Sequence, residues 1–85
     1  MTVTDPQEIK AEVRRVLGCR IAAHRKAAGL SQTELALCIG TQKSEISRWE
    51  NGHRHPSEEA IGRIADALNV DWRLLAYGHT DGDPA

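Results

Sequence analysis

QTELALCIGTQKSEISRWEN, residues Gln32 to Asn51, is the stretch whose reading decides the fold. Leu35, Ala36 and Ile39 fall at the one-, three- and four-residue spacings that gather on one face of a short helix. Ile46 and Trp49, three apart, form the inner stripe of a second helix. Gly40 lies between them, where a left-handed backbone lets the chain turn sharply without a steric clash. Ala36, four residues earlier, is small enough to let the second helix approach closely.

The boundaries around this stretch are written in capping chemistry. Ser31-Gln32-Thr33-Glu34 is a complete capping box, with Leu30 and Leu35 placed to staple across it. Gly29 ends whatever precedes it, and Asn51-Gly52 ends the second short helix, which begins near Gln42 or Lys43. His53 to Pro56 reads as a loop, because the residue before a proline is pushed out of the helical region. Ser57 then caps a fourth helix whose first turn holds Glu58 and Glu59 and whose inner face is Ala60, Ile61, Ile64, Ala65 and Leu68. Asn69 closes it, and Asp71 starts a last short helix with Trp72, Leu74, Leu75 and Tyr77.

Upstream, Asp5-Pro6-Gln7-Glu8 is a helix start, and Ile9, Val13, Val16, Leu17 and Ile21 continue a helical stripe towards Ala28. Gly18 marks a candidate kink or break in it. Met1 to Thr4 is expected to fray, and GHTDGDPA from Gly78 is expected to be a flexible tail. Five helices with no strand pattern make the chain all-α. It divides into a helical extension (1–15), a domain (16–77) and a tail (78–85).

Two short helices joined at a fixed angle by a glycine-containing turn are the helix-turn-helix unit. With its flanks, the stretch resembles the phage-repressor/Cro-like (XRE) helix-turn-helix family. The resemblance is carried in order by Arg25, Gly29-Leu30-Ser31-Gln32, Leu35-Ala36, Gly40, Ile46, Trp49-Glu50-Asn51-Gly52, Pro56-Ser57, Ile64-Ala65, Leu68 and Val70. It implies a five-helix, repressor-like fold in which the second motif helix enters the DNA major groove. The chain departs from the pattern in its long first helix, since the family's usual first helix would begin near Val16, and at Gln42, where relatives often cap with Ser or Thr.

With Ile46 and Trp49 turned inward, the second motif helix exposes Gln42, Lys43, Ser44, Ser47 and Arg48. These are side chains that read base edges: Lys or Arg bonds guanine, Gln bonds adenine and Ser bonds either. By resemblance, Gln42, Lys43, Ser44 and Arg48 match base-contacting positions. The resemblance also places Gln32 on a phosphate, where a helix N-terminus favours an anion. Thr33, Asn51, His53 and Arg54 are further phosphate candidates, because the loop after the second helix follows the backbone in this family. Arg25 and Glu50 match an ion pair that ties the first helix to the end of the recognition helix. Glu45 is left open: it could accept from cytosine, pair with Lys43, or point away.

Composition narrows the alternatives. Residues 1–30 carry six basic and three acidic side chains, 31–56 three of each, and 57–85 two basic and six acidic. A net charge of −1 thus conceals a basic end and an acidic one. No apolar run approaches the length of a membrane span, and no signal-peptide core precedes the first helix, so a cytoplasmic protein is expected. Cys19 and Cys38 read as small, partly buried hydrophobes rather than a disulfide. His53-x-His55 with His24 and His79 fits no zinc spacing, so no metal or cofactor is expected. No nucleophile elbow, phosphate-binding glycine loop or metalloprotease motif is present, which excludes the commoner enzyme classes.

The resulting expectation is a transcriptional regulator, of repressor type, that binds an inverted repeat in double-stranded DNA as a homodimer. Two surfaces are open for the dimer contact: the last helix with Trp72, Leu75 and Tyr77, or the N-terminal extension, which otherwise folds back on its own domain. Trp72 and Tyr77 themselves are expected in the core. The alternative is a protein-interaction module or antitoxin that keeps the fold and binds a toxin or other protein partner in place of DNA.

Overall fold

The computed structural model describes residues 5–80. The expected frayed start at Met1–Thr4 and the last five residues of the expected tail lie outside them. Five helices follow one another: α1 (Pro6–Ala27), α2 (Gln32–Ile39), α3 (Lys43–Glu50), α4 (Glu58–Leu68) and α5 (Trp72–Ala76). No strand occurs among the described residues.

Each boundary follows from a local hydrogen bond. Asp5 accepts from the Gln7 amide ahead of Pro6, and Ser57 accepts from the Ala60 amide. The capping box of α2 is formed in both directions: Glu34 N–H donates to Ser31 Oγ at 3.0 Å, and Ser31 N–H donates to Glu34 Oε1 at 2.9 Å. Those bonds hold the Glu34 carboxyl below its usual range, the Ser31 amide contributing most. Gln42 sits at the cap of α3 without a side-chain cap bond, as its residue type foretold. At the motif turn Gly40 takes φ 74°, and the Thr41 amide reaches back to the Ala36 carbonyl at 2.9 Å. A side chain with a Cβ would be strained in that conformation.

The core takes one fully buried aliphatic from every helix: Ile21, Leu35, Ile46, Ile64 and Leu75. At about 1.5–3 kcal/mol for each such side chain, this shared centre is what holds five short helices together. Leu17, Ile39, Trp49, Ile61 and Leu68 surround it.

Three expectations fail here. Gly18 does not kink α1, which runs unbroken from Pro6 to Ala27. It is instead a packing glycine: a methyl group there would lie 2.6 Å from the Glu50 carbonyl oxygen and closer still to that of Trp49. The C-terminal end of α3 rests directly on the backbone of α1 at this point. Cys19 and Cys38 are exposed, not partly buried. Residues two apart on a helix point to opposite sides, so Cys19 faces away from Leu17 and Ile21, and Cys38 faces away from Ala36. Trp72 and Tyr77 are also outside the core, at 48% and 58% exposure; only Leu75 of that group is fully buried.

The extension lies against its own domain along one side only, where Arg14 Nε donates to the Gly52 carbonyl, and its apolar stripe stays open. Ile9, Val13 and Val16 remain 51%, 50% and 37% exposed along a continuous helix. Val13 and Val16 line an open groove with Ile61 of α4 and with Trp72, Ala76 and Tyr77 at the end of the chain. The two indole and phenol rings meet edge to face, with centroids 5.6 Å apart. Arg20 ties the groove's two sides together, donating from α1 to the carbonyls of Leu75 and Ala76 at 3.3 and 3.2 Å. A cation at the C-terminus of a short helix suits its orphan carbonyls and its dipole. Nothing in the residue spacing pointed to this contact, because Arg20 and Leu75 are 55 residues apart.

Candidate nucleic-acid interface

α3 is anchored by two inward side chains, Ile46 at 0% and Trp49 at 6% exposure, on the seam between α1 and α2. That anchoring fixes what the opposite face presents. Gln42, Lys43, Ser44 and Arg48 are all exposed, and Ser47 is half-buried. Ser44 Oγ reaches the Gln42 amide oxygen at 3.5 Å, and Asn51 Nδ2 donates to Ser47 Oγ at 3.1 Å. The five expected base-reading residues therefore share one helix and its leading edge.

The opposite end of α3 is held by charge. Arg25 presents two nitrogens to the Glu50 carboxylate, Nε to Oε2 at 2.6 Å and Nη2 to Oε1 at 2.9 Å. The Arg25 side chain retains 10% of its exposure and that of Glu50 6%. Arg25 Nη1 also donates to the Leu30 carbonyl at 2.9 Å, so the guanidinium locks the α1–α2 turn to α3. Its hydrogen bonds to Glu50 raise the Arg25 pKa against the opposing effect of burial.

Gln32, a phosphate candidate at the head of α2, is half-buried. Its side-chain amide donates to Glu50 Oε1 at 3.0 Å, adding the N-terminus of α2 to the same network. Thr33 beside it is exposed, as are Asn51, His53 and Arg54 in and after the end of α3. Glu45 pairs with two arginines and not with Lys43. Its carboxylate takes Arg48 Nη1 at 3.4 Å on one oxygen and Arg54 Nε at 3.6 Å on the other. One acidic group thus bridges a candidate base-reading cation and a candidate phosphate-binding one.

A family model for helix-turn-helix proteins of the XRE type matches residues 21–75. The chain belongs to the XRE-type helix-turn-helix family. The match begins within α1 and takes in every residue of α2, α3 and α4, and members of this family are DNA-binding regulators of transcription. The ImmF control region 10 kDa protein of Bacillus phage phi105 is 39% identical over 59 residues, covering 69% of this chain and 66% of that protein. The chain thus spans slightly under two thirds of that curated relative's length.

Solved structures of the family agree with the helical architecture. The restriction-modification controller protein C.AhdI from Aeromonas hydrophila is 35% identical with a TM-score of 0.71, covering 73% of this chain and 94% of that one. The P22 c2 repressor, solved in complex with a synthetic operator, is 30% identical with a TM-score of 0.70, covering 74% and 96%. The all-α, repressor-like helix-turn-helix fold expected from the sequence is the fold of this chain.

Among the described residues no three His, Cys, Asp or Glu side chains converge as a metal site would require, and no helix is long and apolar enough to cross a membrane.

Proposed function

We propose that this chain reads a specific duplex DNA sequence as a homodimer and represses transcription there. The observation that carries the reading is the division of α3. Ile46 and Trp49 fix its inner face, while Gln42, Lys43, Ser44 and Arg48 stand in solvent with hydrogen-bonding ends suited to base edges. Lys43 and Arg48 would supply the guanine contacts and Gln42 an adenine contact, with Ser44 and Ser47 accommodating either. Gln32, Thr33, Asn51, His53 and Arg54 would hold phosphates and set register, Gln32 also steadying α2 through Glu50. The operator complex of the P22 repressor supports the same use of this fold here.

We place the dimer contact on one continuous surface. The two candidates, α5 and the N-terminal extension, line the same groove, which holds Val13, Val16, Trp72 and Tyr77. A twofold pairing through it would present two copies of α3 to half-sites about one helical turn, roughly 10 base pairs, apart.

The test is selection of bound sites from a random duplex library, run beside a Lys43→Ala/Arg48→Ala variant. An inverted repeat that weakens or shifts in the variant establishes direct reading by α3, and its spacing reports the dimer. Folded protein that selects no motif at low salt would leave the protein-interaction alternative standing in its place.

A further inference from the structure

The loop that leaves α3 does not run free. From Trp49 and Glu50, whose carbonyls rest on Gly18, it travels back along α1 towards that helix's N-terminus. Gly52, at φ 74°, comes so close to α1 that a methyl group on it would lie 2.9 Å from Arg15 Cγ and 3.1 Å from Arg15 Cα. Arg14 Nε donates to the Gly52 carbonyl at 3.1 Å. Three residues further on, His55 shares a shallow depression with Ile9, Lys10, Val13 and Arg14. The segment from Asn51 to His55 and the first half of α1 are therefore one edge of the molecule.

That edge is basic. Lys10 and Arg14 are four residues apart and so lie on the same side of α1, about 6 Å apart along its axis. His55 of the loop lies beside them, and His53 and Arg54 precede it in the chain. Of the carboxylates on this part of α1, Glu12 is paired with Arg15, and with Glu8 it lines a different depression from the one holding Lys10 and Arg14. The positive charge of the chain's first third is thus not spread evenly around the helix.

We infer that Lys10 and Arg14 form a second phosphate-contacting edge, by which α1 prolongs the loop's hold on the DNA backbone beyond the segment that carries the family match. The inference rests on the DNA-binding reading above. The edge's partner is a regular polyanion: Lys10 and Arg14 are strung along a helix beside the loop that carries the phosphate candidates. Arg14, fixed by the Gly52 carbonyl, also holds the loop in place, whereas Lys10 is exposed and contributes only charge.

The experiment measures binding of the full chain to a random-sequence duplex pool as a function of salt. Lys10→Gln and Arg14→Gln are compared with Arg63→Gln, which removes the same charge from the outer side of α4, where Arg63 pairs with Glu59. Each lost phosphate contact lowers the slope of log affinity against log salt by about 0.9. The expected result is a loss of about that size for Lys10→Gln and again for Arg14→Gln, with Arg63→Gln unchanged. Lys10→Gln lies outside the core, so it decides the matter even if Arg14→Gln loosens the loop. A Lys10→Gln slope equal to that of the parent or of Arg63→Gln overturns the inference alone. Failure of the parent chain to bind the pool at low salt overturns the DNA reading together with it.

Discussion

α3 carries an arginine–glutamate contact at each end, and the two could hardly differ more. At its C-terminal end Glu50 meets Arg25 with two short hydrogen bonds, both side chains nearly sealed from solvent and Gln32 added to the same carboxylate. In its first turn Glu45 meets Arg48 and Arg54 at 3.4 and 3.6 Å, with those arginine side chains 55% and 64% exposed. A carboxylate at a helix C-terminus opposes the dipole, and one in the first turn agrees with it. The unfavourably placed acid is therefore the one given a full set of partners. The interior pair determines where α3 sits, and the surface cluster is cheap to rearrange when another anion or acceptor arrives.

The largest expected effect comes from breaking the interior side. Glu50→Ala leaves the Arg25 guanidinium unpaired and should cost about 3–5 kcal/mol, lowering the melting temperature by about 4–8 °C for each of those. DNA affinity should fall with the folded fraction. A variant that melts with the parent would show the pair to be no more than a surface contact. Replacing both partners by apolar residues, Arg25→Met with Glu50→Leu, should recover most of the loss, because no buried charge is then stranded.

Gly18→Ala attacks the same end of α3 from the other helix. Alanine is the better helix former, so an isolated α1 would gain. In the folded chain its methyl group meets two carbonyl oxygens of α3, and the expected net loss is about 1–3 kcal/mol of stability by thermal melting. A stabilised Gly18→Ala would mean that the two helices can separate freely.

Glu45→Gln sharpens the contrast by what it spares. Exposed pairs contribute about 0–1 kcal/mol, so the melting temperature should stay close to that of the parent. Affinity for duplex DNA should rise, since a negative charge leaves the proposed interface and two arginines are released. Preference among sequences should relax, because Arg48 loses the partner that restrains it. Unchanged affinity with unchanged preference would show that Glu45 is a bystander.

The smallest effect asks whether exposure, rather than pairing, decides the outcome. Asp71 caps α5, and its carboxyl is lowered to about 2 from 3.8, chiefly by the hydrogen bond from the Arg73 guanidinium and then by the Arg73 amide. The stability this group lends is complete above the unfolded value of 3.8 and is lost as pH falls through about 2. Melting curves of the parent and Asp71→Asn should therefore differ slightly near neutrality and converge across that window. A gap as large as that of Glu50→Ala would contradict the ranking by burial.

Much of the fold was legible because it rests on local signals. The capping box at Ser31, the left-handed Gly40 and the Asn51-Gly52 stop each involve groups within a few residues of one another, and all lie where the spacing put them. The outward face of α3 was legible for a similar reason: once Ile46 and Trp49 are assigned inward, the helical period exposes Lys43, Ser44 and Arg48. Gln32 shows the limit of that reasoning. Its position at the head of α2 was correct, but its bond to Glu50 crosses 18 residues and depends on how two helices dock.

By itself, then, the sequence determined five helices, where each begins and ends, and which side of the motif is apolar, since capping and periodicity are properties of neighbouring residues. Only the tertiary structure decided that Gly18 is a contact rather than a kink, and that Trp72 and Tyr77 face outward beside Val13 and Val16. It alone placed Glu45 between Arg48 and Arg54, and brought Arg14 to the Gly52 carbonyl 38 residues away. Each of those outcomes depends on the angle and depth at which separate helices pack, and that is set by the whole core at once.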